Sequence, residues 1–199
     1  GFDTSVNPVP ARIIVEISAF ANPFPYEKRT IEPFVTTYLK KQKMEDVIEM
    51  YHLEPFELNV LSLKQTLYEK IVSLIRFSMS EQPTASLSSK IRHFYDLNAL
   101  LNIKELEDYV CRKEFVRDIK TLVEHDQQAF DEPLGWKDLK DINQSPLVVD
   151  FDHLWEILTP KYVENLSAIA YRDIPSSNTI KASFLKILKS LREVDLTKE

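Results

Sequence analysis

The spacing of apolar positions along the chain changes near Ser62. Before that point ARIIVEISAF (11–20) alternates as a strand does, placing Ile13, Val15 and Ile17 on one face and Arg12, Ile14, Glu16 and Ser18 on the other. RTIEPFV (29–35) predicts a second short strand, VTTYLKKQKMEDVIEMYHL (35–53) a helix, and FELNVLS (56–62) a third strand. After Ser62 the period is helical almost throughout. Helices are predicted over about 63–80, 86–101, 104–129, 151–171 and 177–194, broken by SEQPTAS, DEPLGW, INQSPLVVD and DIPSS. Ser177, and Asp150 or Asp152 ahead of HLWEIL, offer side-chain oxygens suited to capping a helix start. The expected fold is α+β and mostly α: about three strands and a helix in residues 1–62, then a helical domain over 63–199.

Both faces of ARIIVEISAF are partly apolar, the signature of a strand with neighbours on each side. Three strands are too few to flank and cover it. The chain is therefore expected to present an apolar sheet face and an open edge, and to form a homo-dimer through them. Glu16 stands between isoleucine and valine on that strand and has to reach solvent or be paired. Arg12 on the same face is one partner; a metal ion is the alternative, and both readings stay open.

Composition narrows the function. The 199 residues are 44% hydrophobic and 28% charged, ordinary for a globular protein, and the net charge of −6 argues against non-specific coating of nucleic acid while leaving room for a local basic pocket. Apart from Gly1 the only glycine is Gly135, so there is no glycine-rich loop for a phosphate or a dinucleotide. One cysteine, Cys111, excludes an internal disulfide; in a helical segment it reads as inert packing. No apolar run reaches the length of a membrane span and no signal peptide opens the chain, so no membrane partner and a cytoplasmic location are expected.

Lys70 is out of place in TLYEKIVSL. At about 100° per residue, Leu63, Leu67, Ile71, Val72, Leu74, Ile75, Phe77 and Met79 share one broad arc, and Lys70 falls between Phe77 and Leu63, inside its edge. Thr66 lies one turn earlier. A lysine there either lays its methylenes on the core and sends its ammonium to water, or aims a cation into a cleft that receives an anion. In KIRHFYDLNALL, Arg92 and Asp96 share a face opposite a stripe of Leu87, Ile91, Phe94, Leu97 and Leu101. Arginine before aspartate is the less favourable order for an exposed helical pair, so surface stability does not explain the spacing. His93 has no second histidine at ligand spacing and reads as a surface or packing residue.

Taken together, Arg12-IIV-Glu16, then VLSLKQTLYEKIVSL, then RHFYDLNAL resemble the later motifs of the AbiEii-type nucleotidyltransferase toxins of abortive-infection and toxin–antitoxin systems. The resemblance is carried by residues 10–101, most specifically by TLYEK followed by RHFYDL. It implies the end of a nucleotidyltransferase sheet followed by a helical C-terminal domain, and transfer of a nucleoside monophosphate from an NTP to an RNA (tRNA) or protein acceptor with Mg2+. On the matching positions Glu16 faces the metal and Lys70 neutralises the triphosphate. Asp96 positions Lys70 or the substrate, with Thr66, Arg92 and Arg12 in substrate-binding support. A cognate antitoxin is a further implied partner. The family's first motif, a Gly-Ser turn followed by D-x-D on a strand, should precede ARIIVEISAF, where only GFDTSVNPVP stands. This chain alone is accordingly expected to be inactive. The D-x-D of Asp150 and Asp152 follows the other motifs, lacks the Gly-Ser turn and reads as helix capping. The alternative is a non-catalytic helical interaction module that keeps Lys70, Asp96 and Glu16 as a buried polar cluster.

Overall fold

The fold, a computed structural model that describes residues 25–170 and 173–197, is α+β and mostly α. The strand expected over residues 11–20, with Arg12 and Glu16, lies outside the described residues. The described residues up to Gln65 belong to one compact unit and those from Thr66 onward to another.

In the first unit β1 (Tyr26–Ile31) and β2 (Phe56–Leu61) pair antiparallel, with Tyr26 opposite Leu61 and Ile31 opposite Phe56. β1 thus starts and ends earlier than RTIEPFV suggests: Pro33 precedes α1 (Phe34–Lys41), and the residues after Ile31 turn into that helix. The one helix expected over 35–53 is two, α1 and α2 (Glu45–Met50). Each closes with a residue in the left-handed region, Lys43 at φ 57° and His52 at φ 52°. Behind Lys43 the Met44 amide donates to the Leu39 carbonyl at 3.0 Å, and behind His52 the Leu53 amide donates to Ile48 at 3.0 Å. This six-to-one closure ordinarily uses glycine. A chain so poor in glycine fills it with ordinary residues, each costing about 1 kcal/mol, which hides the helix end from a sequence reading.

The second unit is built on α3 (Leu63–Ser78). Leu67, Ile71, Val72, Leu74 and Ile75 are fully buried, a span of helix wide enough to be covered on several sides. Expected helices are again subdivided. The 86–101 segment is α4 (Pro83–Ser89), whose first residue is a proline suited to that position, and α5 (Ile91–Leu101). The 104–129 segment is α6 (Lys104–Tyr109) and α7 (Lys113–Ala129). No glycine or proline marks that second break. The extended backbone of Arg112 lets the Tyr109 and Phe115 rings meet edge to face at 5.7 Å, both buried, so tertiary packing sets it. INQSPLVVD, expected as a break, contains a 3-10 turn at Ile142–Gln144 and α8 (Pro146–Val149).

α9 (Phe151–Ile169) and α10 (Ser177–Leu191) complete the unit and pack with α5. Phe94 of α5 sits 5.0 Å from Phe184 of α10 and 5.2 Å from Trp155 of α9, ring centre to ring centre, and Phe151 lies tilted against Phe184 at 4.6 Å. The Ser183 hydroxyl donates to the buried Asn98 carbonyl oxygen at 2.7 Å. α10 is capped by Ser176, whose Oγ accepts from the Thr179 amide at 3.1 Å; Ser177 is already inside the helix. Asp150 occupies the cap position of α9 without a side-chain cap bond, and Asp152 instead pairs with Lys181 at 2.7 Å. No helix among the described residues is long and apolar enough to cross a membrane.

Candidate functional site

The aromatic cluster fixes α5 along the face of Phe94, Leu97 and Leu101, all buried. Residues about 100° away then project elsewhere, and Asp96 is carried toward α3. There Lys70 Nζ donates to Asp96 Oδ2 at 2.7 Å, across 26 residues of sequence. The side chains retain 23% and 37% of their exposure, so the pair is half-sunk at the edge of the core, neither buried in it nor free in solvent. The ammonium of Lys70 is thus held at the edge of the core by a carboxylate from another helix. Thr66, half-buried, stands one turn before it on the same helix.

Arg92 goes elsewhere. It shares α5 with Asp96 but lines, with Ser88, Ser89, Asn165 and Glu164, a cavity of about 340 Å3 between α4, α5 and α9 whose walls include neither Lys70 nor Asp96. Asp96 is therefore claimed by Lys70 and not by its helical neighbour. The structure brings Lys70 and Asp96 together and sets Arg92 in an adjoining concavity; Arg12 and Glu16 lie outside the described residues.

His93, read from the sequence as a surface or packing residue, belongs to this neighbourhood. It is half-buried, and its Nδ1 is buried with no hydrogen-bond partner among the described residues. Burial, joined by the positive charges of Lys70, Lys90 and Arg92 and opposed by Asp96, pushes its pKa down to about 4. The imidazole is neutral at physiological pH. Its position three residues before Asp96 was the available signal, since the two are helical neighbours. Lys90 adds another cation nearby, its Nζ 4.5 Å from the centre of the Phe77 ring.

Chemically, this arrangement is a pre-oriented ammonium with a carboxylate behind it, flanked by further cations and a neutral histidine. It can receive an anion and hold it at a defined place. A divalent ion is a different matter: among the described residues no three histidine, cysteine, aspartate or glutamate side chains converge as ligands would. Asp150 and Asp152 supply no such site, and Cys111 is exposed rather than packed.

No curated protein and no solved structure matches the chain. The family model described as nucleotidyl transferase AbiEii toxin, type IV TA system, matches residues 2–181. That span takes in both the Lys70 and the Asp96 helices and ends in the first turns of α10, beyond the segment that carries the sequence resemblance. The chain belongs to the AbiEii nucleotidyl transferase toxin family.

Proposed function

We propose that Lys70 is the cation that meets the triphosphate of an NTP in nucleotidyl transfer, with Asp96 as the carboxylate that orients it. The observation that carries this reading is the 2.7 Å bond between Lys70 and Asp96, made at the edge of the core where a hydrophobic residue would pack better. In the transfer, a hydroxyl of an RNA or protein acceptor attacks the α-phosphate, the bond to the β-phosphate breaks, and pyrophosphate leaves. Negative charge builds on the leaving phosphates as that bond lengthens, and an ammonium already in position stabilises it without reorganisation. Arg92 and Thr66 are assigned to substrate binding, with Arg12.

Glu16 is assigned to a divalent ion such as Mg2+. One carboxylate falls short of a divalent-ion site and no ligand cluster stands among the described residues, so there the charge on the phosphates falls to Lys70 and its neighbours. For the same reason the chain by itself is expected to transfer nothing, although it should still bind triphosphate weakly through Lys70. A cognate antitoxin is the partner expected of a type IV family member.

The test has two readouts. Incubating the chain with labelled NTPs, Mg2+ and total RNA is expected to give no labelled product, whereas specific labelling that disappears in Lys70→Ala would show that the chain alone is competent. Equilibrium binding of an NTP is expected to weaken at least tenfold in Lys70→Met. Unchanged binding would remove Lys70 from the site.

A further inference from the structure

α6, the start of α7 and the C-terminal half of α10 enclose a groove of about 610 Å3. Two of its lysines are spoken for: Lys186 pairs with Glu107 at 2.6 Å, and Lys104 pairs with Asp108 at 2.8 Å and Glu107 at 3.4 Å. Three further cations on the same walls, Arg112, Lys113 and Lys189, are exposed and form no ion pair among the described residues. Glu193 is the one remaining carboxylate there. Once the internal pairs cancel, a chain with a net charge of −6 thus gathers a local excess of positive charge in one concavity.

The placement works against local stability. Arg112 and Lys113 occupy the cap and first position of α7, where the helix dipole already presents partial positive charge and acidic or hydroxyl side chains are preferred. Glu114 in the same turn offsets part of this charge, but neither cation forms an ion pair among the described residues, so their placement is not explained by folding.

We propose that this groove holds the phosphate backbone of an RNA; calling that RNA the acceptor rests on the transfer reading above. The chemistry favours phosphates over a protein partner. A protein interface needs a desolvated aromatic or aliphatic anchor at its centre. Among the described residues no aromatic side chain lines the groove, and its valines, Val110 and Val116, are buried and half-buried. A phosphodiester chain asks only for separated point charges. The absence of stacking side chains further makes the recognition one of backbone, tolerant of base sequence.

The test is anisotropy of a labelled mixed-sequence RNA oligonucleotide against the full chain at several salt concentrations, compared with Arg112→Gln/Lys113→Gln/Lys189→Gln. Three lost phosphate contacts should reduce the slope of log affinity against log salt by about 2 and weaken binding at least tenfold at about 0.1 M salt. The three side chains are exposed, so the variant should keep the wild-type melting temperature; if it does not, Lys189→Gln alone, on a different helix, should still lower the slope by about 0.7. Lys70→Met should bind this RNA as the wild type does. RNA binding by the wild-type chain together with NTP binding that is unchanged in Lys70→Met would therefore leave the groove standing while the transfer reading fell. No RNA binding by the wild-type chain, an unchanged slope in the variants, or equal competition by an acidic polypeptide such as polyglutamate would overturn the proposal.

Discussion

Lys70 on α3 and Asp96 on α5 bond at 2.7 Å, and Arg92, one turn before Asp96 on its own helix, takes no part in that bond. A carboxylate that ignores its helical neighbour and holds a lysine from another helix ties two elements together at one charged point. Such a pair gains little in stability, because half-exposed charges are screened and their side chains must be ordered. Its value lies in where it fixes the ammonium.

The pair should therefore respond unequally to its two deletions. Lys70→Met replaces a partly desolvated cation by a thioether that packs, and the folded state should be unchanged or gain up to about 1 kcal/mol. Asp96→Ala strands the ammonium and should cost about 1 kcal/mol, a figure kept low because both side chains still see solvent. Urea unfolding of the single and double variants measures both effects and their coupling. A loss of about 2 kcal/mol or more in Lys70→Met would make the lysine a structural residue.

The start of α10 offers a sharper stability test. Ser176 Oγ accepts from the Thr179 amide and lies 2.8 Å from the Thr179 hydroxyl, whereas Ser177 is already helical. Ser176→Ala should cost about 1 kcal/mol and Ser177→Ala less than about 0.5 kcal/mol. The comparison by thermal unfolding assigns the cap, and the reverse order would move it to Ser177.

Two neighbouring serines illustrate what sequence can resolve. The existence of α10 was plain from Ile180, Phe184, Ile187 and Leu191; which serine caps it depends on backbone angles that the apolar period does not carry. The same limit applies to the helix ends at Lys43 and His52, where the usual glycine is missing, and to the break at Arg112, set by rings that meet only in the folded chain. Lys70 and Asp96 were legible because each is a polar residue misplaced in, or oddly ordered along, an otherwise regular helix. His93 was not, since its burial and its cationic surroundings come from α3 and from the end of α4 as much as from α5.

The ladder of β1 and β2 predicts association. Among the described residues neither strand has a second neighbour, and in this register Phe56, Leu58, Val60 and Ile31 share one face with the paired Arg29 and Glu27, with Phe56 and Leu58 about half exposed. Edges unpaired among the described residues, beside a partly apolar face, are a template for a second copy. Sedimentation across concentrations should show a monomer–dimer equilibrium, shifted toward monomer by Leu58→Lys. A single monomeric species at every concentration would remove the prediction.

The last prediction concerns acid. His93 carries a pKa of about 4 in the folded protein against an ordinary 6.5, because burial and then the charges of Lys70 on α3, Lys90 and Arg92 disfavour the imidazolium, with Asp96 opposing them. The unfolded chain thus takes up the proton first as pH falls. Stability contributed by the neutral ring is complete above pH 6.5 and is lost between there and about pH 4, at about 1.4 kcal/mol per unit and up to about 3 kcal/mol in all. Replacing the ring by a neutral amide in His93→Gln removes this proton uptake and leaves every other acid-sensitive group in place. Between about pH 7 and about pH 4.5 the wild type should therefore lose about 2 kcal/mol more than the variant in urea unfolding. Equal losses in both proteins would mean that His93 titrates normally and that its surroundings are wetter and less positive than the packing of α3 and α5 implies.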